Sequence, residues 1–139
     1  MPHEITFYPQ HHLLYERGFG IIPLDEVAEV YQTNIETLAQ AKEPIHILMD
    51  LRETEQIQAS LIELRKVMQP IDSPNLRWMV LVIEGNPLLQ FLSSVLIQIV
   101  RRNTRHRLFK TMEEAVAFLQ EMDTSIDLKA WVRNLEKQY

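Results

Sequence analysis

The stretch Leu76–Gly85, "LRWMVLVIEG", decides the fold. From Trp78 to Ile83 it is uninterruptedly apolar. A strand covered on one face alternates polar with apolar residues, whereas a strand covered on both faces, as in the middle of a parallel sheet, does not. Met79–Ile83 is therefore predicted to be an interior strand. Pro70, Asp72, Ser73 and Pro74 make the connection that leads into it.

Upstream, Ile45–Leu51 is a second apolar run that reads as a strand, with Asp50 at its end. A helix is predicted from about Thr54 to Gln69, because Ile57, Leu61, Leu64 and Met68 fall on one face. Pro23 marks an earlier helix start, with Asp25 and Glu26 in the first turn where the helix dipole favours acids. Its apolar positions are Leu24, Val27, Ala28, Tyr31, Ile35 and Leu38, and it stops before Pro44. Ile5–Tyr8 and Leu13–Arg17 read as a hairpin joined by Pro9, Gln10, His11 and His12, with Gly18 and Gly20 at its exit.

Downstream, Asn86 and Pro87 start a helix that reaches Arg101, with Phe91 and Val95 among apolar residues on more than one face. Such a helix must be covered on two sides, either by the C-terminal helix through Trp131 and Leu135 or by a subunit or ligand. Arg105–Lys110 is a short strand. Thr111 and Glu114 form a capping box for a helix with Ala115, Phe118, Leu119 and Met122 on its core face. A last amphipathic helix carries Leu128, Trp131, Val132 and Leu135.

The order is written ββαβαβαα. It describes an α/β fold with a mostly parallel, mixed five-stranded sheet, right-handed βα crossovers, and the first strand antiparallel at one side. The expectation is a single domain over residues 1–139, with a core over about 5–122 and an extra C-terminal helix over about 124–137.

Composition narrows the function classes. The 139 residues carry a net charge of −5, which argues against general nucleic-acid coating. The absence of cysteine removes disulfides, thiolate metal sites and thiol nucleophiles, and suits a cytoplasmic protein. The start "MPHEITFYPQ" does not read as a signal peptide. "PLLQFLSSVLIQIV" is too short and too polar for a membrane span. No cofactor motif, Ser-His-Asp set or phosphate loop is present.

Three segments, "LLYERGFGIIPLDEVAEV", "PIHILMDLRE" and "HRLFKTMEEAVAFLQ", in this order and spacing resemble the STAS domain, and more closely its divergent STAS-like (SpoIIAA-like) relatives. This is the fold of the sporulation anti-sigma-factor antagonist. The resemblance implies a small cytoplasmic module of bacterial regulation that binds protein partners, sometimes small ligands, and has no enzymatic activity. In phosphorylation-switched members a serine follows the strand-end aspartate. Here Leu51 follows Asp50 and no glycine comes after it, so the resemblance carries no phosphoserine switch at that position.

Four features invite a functional reading. Asp50 stands where open α/β sheets place ligands, with Arg52 and Thr54 beside it. The plainer reading has its carboxylate accept backbone N–H bonds from the turn around Arg52–Thr54. His11-His12 resembles a metal pair, yet no acidic cluster completes it, and a polar turn is the better account. "RRNTRHR" places Arg101, Arg102, Arg105, Arg107 and a histidine together, either as an anion patch or as cations at a helix C-terminus running into a strand. Phe91, Val95 and Trp131 mark a surface for a protein partner, a second copy or a small apolar ligand. The expectation is a non-enzymatic partner-binding module, with a homodimer as one form of it, and small-molecule or lipid binding through the apolar helix at 87–100 and the strand ends as the alternative.

Overall fold

The structure, a computed structural model, describes residues 3–69, 71–83 and 105–137. The expected helix Pro87–Arg101, with Phe91 and Val95, and Arg102 after it lie outside the described residues. The described elements are β1 (His3–Tyr8), a 3-10 turn (Pro9–His11), β2 (Leu13–Pro23), α1 (Leu24–Gln40), β3 (Ile45–Gln58), α2 (Leu61–Val67), β4 (Leu76–Val82), β5 (His106–Phe109), α3 (Met112–Met122) and α4 (Lys129–Glu136). The order ββαβαβαα therefore lacks one strand: β5 precedes the two final helices.

The five strands lie in the order β1-β2-β3-β4-β5. β1 pairs antiparallel with β2, and the remaining pairs are parallel. β4 is interior, between β3 and β5. Met79, Leu81 and Ile83 turn to the α1/α2 side, and Val80 and Val82 to the α3/α4 side, all essentially buried. That double burial, about 1.5–3 kcal/mol for each large side chain, explains the missing polar alternation. Neighbouring parallel strands in sequence order need right-handed crossovers on one face, and α1 and α2 do share a face.

The structure corrects the helix predicted from Thr54. Residues 54–58 continue β3, and α2 begins only at Leu61. The register shows why. From Arg17 to Phe19 β2 advances two residues while β3 advances three, from Asp50 to Glu53. A second extra residue enters between Thr54 and Gln56, opposite Gly20 and Ile21. These bulges put Leu51, Thr54 and Ile57 on the buried side at intervals of three, which imitates a helical period. The true start of α2 is a reciprocal cap. Ser60 Oγ accepts from the Glu63 amide at 3.2 Å, and Glu63 Oε1 accepts from the Ser60 amide at 3.0 Å. At the expected box of Thr111 and Glu114, the Thr111 arm forms, at 3.1 Å.

β2 also runs past its predicted end at Arg17 and takes Gly18 and Gly20 into the sheet. A Cβ on Gly18 would lie 2.9 Å from Thr54 Oγ1 and 3.0 Å from Ile22 Cδ1, so the close approach of β2 to β3 requires glycine there. The pair His11-His12 belongs to the turn between β1 and β2. His12 has a left-handed φ of 50°, and its amide closes the turn on the Pro9 carbonyl at 3.1 Å.

Candidate functional site

Asp50 is not at a strand end. It pairs with Arg17 of β2 on one side and with Val82, the last residue of β4, on the other. Beyond it, among the described residues, β3 continues against β2 alone, so Asp50 sits at a step in the described sheet, on the α3/α4 side. The carboxylate is 1 % exposed. Its Oδ1 accepts from the Arg52 amide at 3.2 Å and from Arg52 Nε at 2.9 Å. Its Oδ2 accepts from the Tyr15 hydroxyl at 2.5 Å and from an Arg52 Nη at 2.8 Å. A carboxylate offers about four acceptor positions, and these contacts occupy them. Only one of these donors is the backbone amide of the expected turn; the charge is held by a guanidinium two residues along the same strand. A buried carboxylate needs such a partner to stay ionised.

The remaining expected residues divide. Arg52 is brought onto Asp50. Thr54 is buried on the opposite face, against the Gly18 position. Trp131 is buried too, edge-on to Tyr8 at 5.7 Å and to Tyr15 at 5.3 Å between ring centres. The expected contact surface at Trp131 is therefore a packing site: its indole backs the tyrosine that serves Asp50. Arg105 and Arg107 flank His106 on β5. That histidine is no part of a basic patch, because it is fully buried and its Nε2 accepts from the Ile71 amide at 3.5 Å. Burial, with Arg107 adjacent, pushes its pKa down to about 4.

Two buried polar groups escaped the sequence reading. Glu16 lies on β2 among the core residues facing α1, and Asn34 Nδ2 donates to its Oε1 at 3.1 Å. Burial raises the Glu16 pKa to about 8, against a smaller lowering by Asn34. Tyr31 is raised as well, by its own burial and by Glu16. The signal was present, since Glu16 shares the strand parity of the core residue Leu14. The second group joins residues far apart in sequence. Asp123 Oδ2 contacts His46 Nε2 and Arg77 Nη1, each at 2.8 Å, while Ser125 donates to Oδ1 from its hydroxyl at 2.5 Å and its amide at 3.1 Å. Burial would raise the Asp123 pKa, but the Ser125 and His46 bonds prevail and hold it at about 2. No local motif announces such a pairing. Among the described residues, no cluster of three or more His, Asp or Glu side chains is arranged to hold a metal ion.

No family model and no curated protein matches the chain. Solved structures do. An uncharacterised protein of the DUF3478 family with a SpoIIAA-like fold, from Shewanella loihica PV-4, is similar at a TM-score of 0.51 and 14 % identity, over 84 % of this chain and 91 % of that one.

The fold is SpoIIAA-like.

The anti-sigma factor antagonist SpoIIAA in its unphosphorylated form aligns at a TM-score of 0.48 and 13 % identity, over 85 % of this chain and 97 % of that one. Within the SpoIIAA-like frame of this chain, Leu51 follows Asp50 and turns its side chain into the α1/α2 core. No described helix is long and apolar enough to cross a membrane.

Proposed function

We propose that this chain is a non-enzymatic, STAS-like module of bacterial regulation that works in the cytoplasm by binding a protein partner or a second copy of itself. The observation that carries this reading is the state of Asp50. The buried carboxylate has both oxygens engaged by Tyr15 and Arg52, which leaves it holding the sheet together with no open position for a substrate. The SpoIIAA-like fold supports the same reading, since the anti-sigma factor antagonist is named for a protein target.

The surface offers a place for a partner. β1 is an edge of the sheet, and Phe7 on it is half-exposed. Edge strands and exposed aromatic residues are the usual starting points of protein association. The alternative is a small apolar ligand. The apolar cavity between the sheet and α1, lined by Glu16, Val30, Met49 and Ile57 among others, measures about 50 Å³. A cavity of that size suits water better than a lipid chain.

Light scattering across a concentration series, with mass spectrometry of whatever co-purifies with the native protein, tests the reading. A dimer mass or a stoichiometric protein partner is expected. A strict monomer carrying only a small molecule would reverse the order of the two readings.

A further inference from the structure

The cavity between the sheet and α1, about 50 Å³, has one carboxyl group in its described lining, that of Glu16. Most of the remaining lining is apolar, including Val27, Val30, Met49 and Met68. Only His3 and Gly18 in it are partly exposed, so the cavity approaches solvent on the β1 side. Glu16 itself is 3 % exposed. Asn34 Nδ2 donates to its Oε1 at 3.1 Å, whereas Oε2 has no hydrogen-bond partner among the described residues. A buried carboxyl oxygen is costly to leave unpaired, so its position marks where a donor belongs.

The ionisable groups around Glu16 favour a cationic donor. From α1 comes Tyr31, whose hydroxyl is kept protonated by burial and by Glu16. From β1 comes His3, with Nδ1 2.6 Å from Glu26 Oε2 of α1, so a charge on the imidazole is balanced by an acid. β3 and α2 bring only apolar side chains to the cavity, and no lysine or arginine is in its described lining. A carboxyl with one free oxygen in an apolar wall suits a guest with an N–H-bearing cationic head and a small apolar body. Since a water occupies about 30 Å³ in the liquid, the volume suits a guest of about two non-hydrogen atoms.

We infer that this cavity binds a small primary ammonium ion, methylammonium in size, whose N–H groups donate to Glu16 Oε2 while its methyl group meets the apolar wall. Where Glu16 is protonated, the incoming cation displaces that proton to solvent, so one positive charge enters and one leaves. The inference does not rest on partner binding.

The methyl groups of Met49 and Met68 line the cavity and report on it in an NMR titration with methylammonium chloride, at ionic strength held constant with sodium chloride. A saturable shift is expected at pH 8.5, with a Kd on the order of 10 mM, close to the ceiling for two non-hydrogen atoms. Burial holds the proton on Glu16 up to about pH 8, while an alkylamine stays protonated to about pH 10. Affinity should therefore fall about tenfold or more between pH 8.5 and pH 6.5. Glu16→Gln keeps the shape of the side chain and should abolish saturation. Should that variant fail to fold, the pH series on the unsubstituted chain decides alone. Absence of saturation at pH 8.5 up to on the order of 200 mM overturns the inference. So does affinity that is unchanged in Glu16→Gln or between the two pH values. Equal binding of methanol, which has the size without the charge, or of tetramethylammonium, which has the charge without an N–H, overturns it as well.

Discussion

The Tyr15 hydroxyl donates to Asp50 Oδ2 at 2.5 Å across the β2–β3 pairing, and the Trp131 indole stands edge-on against that same tyrosine ring. One buried carboxylate thus ties the C-terminal helix to the middle of the sheet through a phenol. The arrangement is charge-assisted at Asp50 and dispersive at Trp131, so each end restrains the other.

Asp50→Ala removes the acceptor shared by the largely buried Arg52 guanidinium and the Tyr15 hydroxyl, and should cost about 3 kcal/mol. Asp50→Asn keeps the shape but sets a neutral amide against a cation, so about 1–2 kcal/mol is expected. Tyr15→Phe should cost about 1–2 kcal/mol as the loss of a hydrogen bond to a charged group. Urea denaturation of the single and double variants tests this. Strict additivity of Tyr15→Phe and Asp50→Asn would show that the two groups do not interact.

Glu16 makes stability fall with rising pH. Its folded pKa of about 8 lies above the ordinary glutamate value of 4.5, so the folded chain retains a proton that the unfolded chain releases. The contribution is full below about pH 4.5 and is lost progressively up to about pH 8. His106 works in the opposite sense. Its pKa is lowered from 6.5 to about 4, so its contribution is present above 6.5 and is lost as pH falls towards 4. His46, lowered chiefly by burial, adds to this sense. The two effects oppose each other in acid, whereas from about pH 6.5 to 8 Glu16 acts without them. Within that window stability should decline by up to about 1.4 kcal/mol per pH unit. Glu16→Gln should flatten the decline and stabilise the protein at pH 8. An unchanged slope in the variant would contradict the buried neutral carboxyl.

Gly18→Ala places a methyl group 2.9 Å from Thr54 Oγ1 and 3.2 Å from Leu51 Cδ2, and should destabilise by about 1–3 kcal/mol through overpacking. Gly20→Ala meets nothing within 4 Å, and its cost should come only from the φ of +67°, about 1 kcal/mol. Thermal denaturation ranks the two. A harmless Gly18→Ala would mean that β2 and β3 have room to part.

Asp123→Ala removes the acceptor shared by buried His46, Arg77 and Ser125, and should cost about 2–4 kcal/mol at neutral pH. In the unsubstituted chain this contribution is present above about pH 4 and disappears as pH falls through about 2, because the folded pKa is depressed. Hydrogen exchange should show faster opening of the segment from Asp123 to Leu128 in the variant. Protection unchanged there would place the cost elsewhere.

Local patterns were sufficient for much of the fold. The unbroken apolar run at Trp78–Ile83 marks an interior strand because both its faces lose water, and the residues that show this are adjacent in sequence. The same holds for α1, whose start at Pro23 and core face at Val27, Tyr31 and Leu38 follow from proline geometry and a 3.6-residue period. What the tertiary structure alone decided lies where that locality fails. Two bulges gave Leu51, Thr54 and Ile57 a spacing of three, so a strand imitated a helix; a bulge exists only relative to the partner strand. Asp50 reads as a strand end because the apolar run stops there, yet β3 continues by pairing with an extended β2. His46 meets Asp123, and Trp131 meets Tyr8 and Tyr15, across more than half the chain. Contacts of that separation are selected by the packing of whole layers, and a local window of sequence contains only one of their partners.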